Sequence, residues 1–361
     1  MGAHTPAIAG PAPVKGFMAR YALLIMPSAN RVYANASVAL TQAELEVFSR
    51  SVLGGRLTGL TASTIGGVPY ITFAADLAGR DAEFLANLSS IYALFRVEGG
   101  LLRPVKLRSL GRFDDDLITI QKYQGKTNEQ FTRLLLNVTL LSSAFARDML
   151  DRKFAVIDPL CGRGTALNQA LMLGYDAAGV DLDQQDFEAY TAFIQTWLKR
   201  KRIKHHADFR GPVRRNRQVI ARRLQISLAA TREEYQAGAT QHLDVVNADT
   251  TRALEFFKPA AFDLLVTDAP YGVQHGSRTA AKGRARSPLD LLADAVPVWA
   301  RLLRNGGALG IAWNTLVAPR DQAAQILASA GLETMDTGPY LAFRHRVDQA
   351  IVRDILIARK P

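Results

Sequence analysis

The stretch "VTDAPYG", residues 266–272, places a carboxylate, a proline and an aromatic ring directly after a run of apolar strand formers. In an open α/β sheet the C-terminal ends of buried strands face the ligand crevice, so the run at 262–266 would deliver Asp268 and Tyr271 to it. The pattern suits a nucleobase whose exocyclic amine must be made nucleophilic. That nitrogen is a poor nucleophile because its lone pair is delocalised into the ring. If Asp268 accepts one N–H and the main-chain carbonyl of Ala269 accepts the other, the lone pair turns toward an electrophile. Pro270 stiffens the turn, and Tyr271 offers a face for the base, a contact worth ~1–3 kcal/mol in nucleic-acid sites. The electrophile implied is a sulfonium methyl.

A second constellation, "VIDPLCGRGTALNQA" at 156–170, reads as strand, glycine loop and helix start. Gly162 and Gly164 allow close backbone approach to a ligand, and Thr165 can cap the helix whose N–H groups face the crevice. It is not a phosphate-cradling P-loop, since the lysine and the spacing are missing. Asp181 ends the next strand in "AAGVDLD", where an acid can accept from two ribose hydroxyls; Asp183 serves equally or caps a helix. Asp249, after the third strand, either meets an adenine edge or caps a helix. Acids after three successive strands open on one crevice.

These elements sit in an alternation of strands and helices from about residue 155 onward, which implies a mostly parallel sheet covered on both faces. Two further strands are expected at 340–344 and 350–358. Before it, residues 20–115 read as a small α+β unit: strands at 21–26 and 68–73, a helix opened by a capping box at Thr41–Glu44, and an amphipathic helix over 82–95. Residues 1–19, rich in Ala, Pro and Gly, read as a disordered tail. The domain at 116–361 begins with a helix carrying Phe131, Leu134, Leu135, Val138 and Leu141 at helical spacing. Lys122, Lys126, Thr127 and Asn128, just before that helix, are candidates for contact with cofactor or substrate.

The formal net charge of +11 over 361 residues points to a polyanionic partner. Much of it is concentrated: residues 196–232 hold twelve Lys and Arg against Asp208 alone. This segment is expected to be two helices joined at Gly211 and Pro212, laying Lys199, Arg200, Lys201, Arg202, Arg214, Arg215 and Arg217 on a phosphate backbone. The polar loop at 275–290 supplies further phosphate candidates in Arg278, Lys282, Arg284 and Arg286. A lone cysteine, Cys161, makes no intramolecular disulfide, so a cytoplasmic setting is the default. No apolar run reaches the ~20 residues of a membrane helix, and His205 and His206 have no ligand partner at metal spacing.

The chain resembles the class I S-adenosylmethionine-dependent amino-methyltransferases. Their glycine-loop pattern Asp-Pro-Phe-Cys-Gly-Ser-Gly-Thr is matched by "DPLCGRGT" at 158–165, and their Asp-Pro-Pro-Tyr-Gly by "DAPYG" at 268–272. The resemblance is closest to the tRNA guanine-N2 methyltransferases acting at guanosine 10, and it covers residues ~120 to 361. It implies a Rossmann-like class I methyltransferase fold behind a small α+β N-terminal domain. It further implies S-adenosylmethionine held by Asp158, Pro159, Cys161, Gly162, Gly164, Thr165, Asp181 and Asp249, no metal, and an RNA substrate, tRNA first. Ala269 departs from the family's first proline, although the group needed there is the main-chain carbonyl. Arg163 departs from its serine, and no RNA-binding THUMP domain is visible. The same motif serves adenine-N6 and cytosine-N4 methylation of DNA, which stands as the enzymatic alternative; a non-catalytic RNA-binding protein that keeps the cofactor pocket is the other.

Overall fold

The computed structural model describes residues 18–28, 31–269 and 288–361. Residues 1–17 of the expected tail, Pro270, Tyr271 and the basic residues of the 275–290 loop lie outside them, while Ala19, expected in the tail, opens the first strand.

The N-terminal unit runs β1 (Ala19–Ile25), α1 (Arg31–Ser51), β2 (Thr58–Ile65), β3 (Val68–Ala75), α2 (Asp81–Leu85), β4 (Ile91–Glu98) and β5 (Leu101–Val105). Its antiparallel sheet has the order β2-β3-β1-β4-β5. This is a ferredoxin-like β-α-β-β-α-β unit extended by one hairpin strand. Alternate residues of β1 (Tyr21, Leu23 and Ile25) are buried with Ile71, Phe73 and Leu94, as a one-faced sheet requires.

Two expectations fail here. Residues 82–95 are not one helix: the chain leaves α2 after one turn and enters β4, whose Leu94 pairs with Leu23. The residues at 41–44 do not open a helix but lie within α1. The Thr41 hydroxyl donates back to the Ser37 carbonyl at 2.6 Å, and the Glu44 carboxylate is fully buried. Glu44 accepts from the Ser89 hydroxyl at 2.5 Å and from Asn137 Nδ2 at 2.7 Å, tying the N-terminal unit to the second domain. Burial raises its pKa, opposed by those donors.

After α3 (Asp116–Thr119), the helix α4 (Glu129–Ser142) leads into a ten-stranded sheet. In chain order its elements are β6 (Ala155–Asp158), α5 (Thr165–Met172), β7 (Asp176–Asp181), α6 (Gln184–Lys201), β8 (Lys204–Arg215) and β9 (Gln218–Ala229). Then follow α7 (Arg232–Gln236), β10 (Gln241–Asn247), β11 (Phe262–Asp268), α8 (Pro288–Leu302), β12 (Leu303–Asn314), α9 (Arg320–Ser329), β13 (Glu333–Met335), β14 (His345–Arg346) and β15 (Val352–Arg359). The order is β13-β15-β12-β11-β6-β7-β10-β9-β8, with the tenth strand, β14, pairing with β15 off this path. Strands β10, β7, β6, β11 and β12 are parallel, and β15 runs antiparallel between β12 and β13. This is the Rossmann-like, mostly parallel sheet that was expected, with β6 and β11 at its centre. Burial on both faces explains the apolar run Leu264–Val266 of β11, whose residues from Phe262 to Thr267 are all buried, Asp263 among them with Arg152 as its partner.

The basic segment is not a helix pair. Helix α6 stops at Lys201, and the chain forms a long hairpin whose strand β9 pairs antiparallel with β10. Gly211 and Pro212, expected to break a helix, sit at a register shift in β8. At the other end, residues 338–341 form a 3-10 turn rather than a strand, and the strand that follows, β14, is only His345 and Arg346, paired with β15.

Candidate functional site

Parallel strands that end together place their last residues on one edge. Asp158 closes β6, Asp181 closes β7 and Asp268 closes β11. Neighbouring strands lie ~4.8 Å apart, so the three carboxylates line a short row. Their fields overlap: both Asp181 and Asp268 act on the Asp158 carboxyl.

The glycine loop hangs between the first two. Asp158 Oδ1 accepts from Leu160 N at 3.1 Å, turning the chain at Pro159. Cys161 N donates to Val180 O at 3.0 Å, and its thiol packs beneath the loop: a Cβ built on Gly179 would lie 2.7 Å from Sγ. Gly162 N then donates to Asp181 Oδ2 at 2.7 Å, while Asp181 Oδ1 accepts from Asp183 N at 2.8 Å. Gly162 and Gly164 have φ of 48° and 77°, the left-handed region that glycine tolerates best. Gly164, not Thr165, holds the N-cap position of α5; the Thr165 hydroxyl instead meets Tyr123 Oη at 3.0 Å. Asp183 caps α6. Asp249 caps the 3-10 turn at 250–255, accepting from Thr251 N at 2.9 Å, the simpler of its two readings.

Burial pushes the Asp158 carboxyl up to about 7, opposed by the Thr267 hydroxyl and the Leu160 N–H. Burial likewise raises Asp181 to about 6, opposed by the Asp183 and Gly162 N–H groups. An acidic pair so desolvated in the bare protein favours a ligand that brings positive charge or hydroxyl donors.

Asp268 is held from two sides. Thr127 donates its hydroxyl to Oδ2 at 2.5 Å, and Arg353 Nη2 approaches the same oxygen at 3.5 Å. Arg353 comes from β15, is 6% exposed, and lies over the Phe131 ring with Cζ 4.5 Å from its centroid. His345 packs on the same ring, and burial lowers its pKa. Ala269 N donates to Ala312 O at 2.8 Å, fixing the peptide after Asp268.

The segment before α4 thus spans the edge from the glycine loop to Asp268. Tyr123 touches Thr165 and lies 4.9 Å from the Arg163 guanidinium, whose Nε donates to Asp186 at 2.8 Å. Of the four candidates in this segment, Thr127 reaches the site. Lys126 is instead used internally, donating to the Ile118 and Gln121 carbonyls and pairing with Glu129. Asn128 caps α4, and Lys122 is exposed. Sequence reasoning missed Tyr123, Arg163 as a loop anchor, and Arg353. For Arg353 the signal was available as an arginine inside a strand otherwise apolar from Ile355 to Ala358.

The basic candidates divide. Lys199, Arg200, Lys201 and Arg202 end α6, which runs from the carboxylate edge back to the opposite end of the sheet. There Lys201 is clasped by Asp114 and Asp116, each at 2.7 Å. Arg214, Arg215 and Arg217 lie at the tip of the β8–β9 hairpin, on the carboxylate side. Among the described residues no cluster of metal ligands is present, and no helix is long and apolar enough to cross a membrane.

Residues 136–299 match the family UPF0020, described as RMKL-like, methyltransferase domain. No curated protein matches the chain. Among solved structures, TrmN from Thermus thermophilus is similar at 14% identity and a TM-score of 0.39, over 84% of this chain and 59% of that one. The TehB-like SAM-dependent methyltransferase from Corynebacterium glutamicum gives 14% identity and a TM-score of 0.32, over 59% of this chain and 83% of that one. The 1,6-didemethyltoxoflavin-N1-methyltransferase of Burkholderia thailandensis gives 14% and 0.35, over 66% and 93%.

Proposed function

We propose, from the premise that residues 136–299 are a methyltransferase domain of the RMKL-like type, that the chain methylates an exocyclic amine of a nucleobase in RNA. Guanine N2 is the acceptor, tRNA the substrate, and S-adenosylmethionine the donor. The observation that carries this reading is the row of Asp158, Asp181 and Asp268 on one sheet edge, with the glycine loop bound to Asp181.

The residues present fit the cofactor. A Cβ at Gly162 would meet nothing within 4 Å, so the loop borders open space beside the Asp181 carboxylate. Asp181 suits the ribose hydroxyls and Asp158 an ammonium group. When bound, S-adenosylmethionine supplies a methyl on a sulfonium leaving group. Asp268 accepts one amine N–H and the Ala269 carbonyl the other, aiming the nitrogen lone pair. The amine nitrogen, on taking the methyl, would pass its proton to Asp268. Thr127 and Arg353 keep that carboxylate oriented, and Tyr271 stacks the base.

The test is transfer of labelled methyl from S-adenosylmethionine to RNA and to DNA of matched length. Label in RNA is expected. Label confined to DNA, as N6-methyladenine or N4-methylcytosine, would replace this reading with the DNA one. Cofactor binding without transfer to either would leave the non-catalytic one.

A pH prediction follows from Asp158. Its folded pKa of about 7 lies above the ordinary carboxyl value of 3.8, so the folded state holds the proton more tightly. That contribution to stability is present below about pH 4 and lost as pH rises through about 7. Asp158→Asn keeps an oxygen for Leu160 N and removes the buried charge. The variant should therefore gain stability relative to wild type at pH 8, by on the order of a few kcal/mol. Its cofactor affinity should fall and should lose the rise with pH through about 7 that is expected of wild type. Denaturant midpoints and calorimetry at pH 5 and 8 read both effects; a variant less stable than wild type at pH 8 would refute the burial cost.

A further inference from the structure

The geometry points to the β8–β9 hairpin as an arm that grips the phosphate backbone of the RNA beside the reacting nucleotide, a role that rests on the RNA reading above. Strand β9 leaves the sheet in register with β10, Arg222 opposite Asn247, and Asn247 is itself level with Asp181. Residues 218–221 and their partners run past that level, an overhang of about 13 Å at ~3.3 Å per residue. The tip therefore projects beyond the carboxylate edge. It stands four strands from β11 in the sheet order, or about 19 Å at ~4.8 Å per strand.

Charge and anchoring fit such an arm. Residues 209–232 contain no Asp or Glu. Arginines fasten it along its length: Arg222 to Glu188 at 2.8 Å and Arg223 to Asp244 at 2.6 Å near the base, and Arg215 to Glu255 at 3.0 Å close to the tip. Ala221 is buried, and Val213 and Ile220 pack against the same core as Phe256 and Phe257. Beside the tip anchor, Arg214 and Arg217 are exposed.

The turn itself carries a second, independent sign. Asn216 and Arg217 have φ of 48° and 66°, the two positive values of a type I′ hairpin turn. Glycine is favoured at the second of these positions, and an arginine there costs about 1–2 kcal/mol. An arginine kept in a conformation suited to glycine, at an exposed tip and with no acid partner among the described residues, is retained for something outside the chain. A guanidinium in that place fits a phosphate.

The experiment uses the full chain with unfractionated tRNA, a DNA duplex, and S-adenosylmethionine. Arg217→Gly should keep or raise the melting temperature because it relieves the turn. Together with Arg214→Gln it should weaken tRNA binding roughly tenfold at moderate salt and reduce the slope of log K against log salt by about 1.4–1.8, two phosphate contacts. Cofactor affinity should not change. Replacing Lys199, Arg200 and Arg202 by Gln, at the far end of the sheet, should leave the slope as it was. An unchanged slope in the hairpin variant, with wild type binding tRNA, overturns the arm alone. Wild type that binds S-adenosylmethionine but no tRNA overturns both the arm and the RNA reading. Tighter binding to the DNA duplex with the same loss of slope overturns RNA as the partner.

Discussion

Asp268→Ala is expected to lower methyl transfer by about 10²–10³-fold, the cost of losing one preorganised acceptor at a reacting centre. Cofactor affinity should stay within about twofold, because the cofactor loop is organised by Asp181 through Gly162 N at 2.7 Å and not by Asp268. The alanine also leaves Thr127 without its acceptor and the buried Arg353 without its nearby carboxylate, so some stability is lost. Single-turnover transfer, calorimetry and a melting curve separate the three quantities. If cofactor affinity fell as much as transfer, Asp268 would belong to cofactor binding.

The second large effect is at the glycine loop. A methyl on Gly164 would stand 2.3 Å from Tyr190 Cε2 and 2.6 Å from Cζ, closer than atoms can approach. Tyr190 cannot yield: it is fully buried and its hydroxyl donates to Asn168 Oδ1 at 2.9 Å. Overpacking of this kind costs about 1–3 kcal/mol, and the φ of 77° adds about 1–2 kcal/mol for any residue with a Cβ. Gly164→Ala should therefore lower the melting temperature by several degrees and abolish measurable cofactor binding. Gly162→Ala is the contrast. Its Cβ meets nothing within 4 Å, so only the backbone cost is expected, with cofactor affinity reduced because the methyl enters the space the ligand needs. Equal melting temperatures for the two variants would show that Tyr190 does not clamp the loop.

The parallel sheet was legible because its strands are short apolar runs that end on polar residues, a pattern that survives without tertiary context. Asp158, Asp181 and Asp268 were identified as strand ends for the same reason, and the structure lays them on one edge. The hairpin was misread because its charge density looked like two exposed helices. Its period-two signal was nonetheless present: Leu224, Ile226 and Leu228 alternate with Arg223, Gln225 and Ser227, and the first three are buried. The expected helix at 82–95 failed for the opposite reason. Its apolar spacing suits either period, and pairing of β4 with β1 decided the matter. Tyr123 meets Thr165 across a long sequence separation that no local pattern records, and the arginine in β15 marks Arg353 as unusual without saying that its partner is Asp268.

The most direct measurement of the central claim is the position of the transferred methyl. RNA treated with the protein and methyl-labelled S-adenosylmethionine, digested to nucleosides and resolved by mass spectrometry, should carry the label as N2-methylguanosine, on an exocyclic nitrogen. Label on a ring carbon, a ring nitrogen or a ribose oxygen would contradict an amine held between Asp268 and the Ala269 carbonyl.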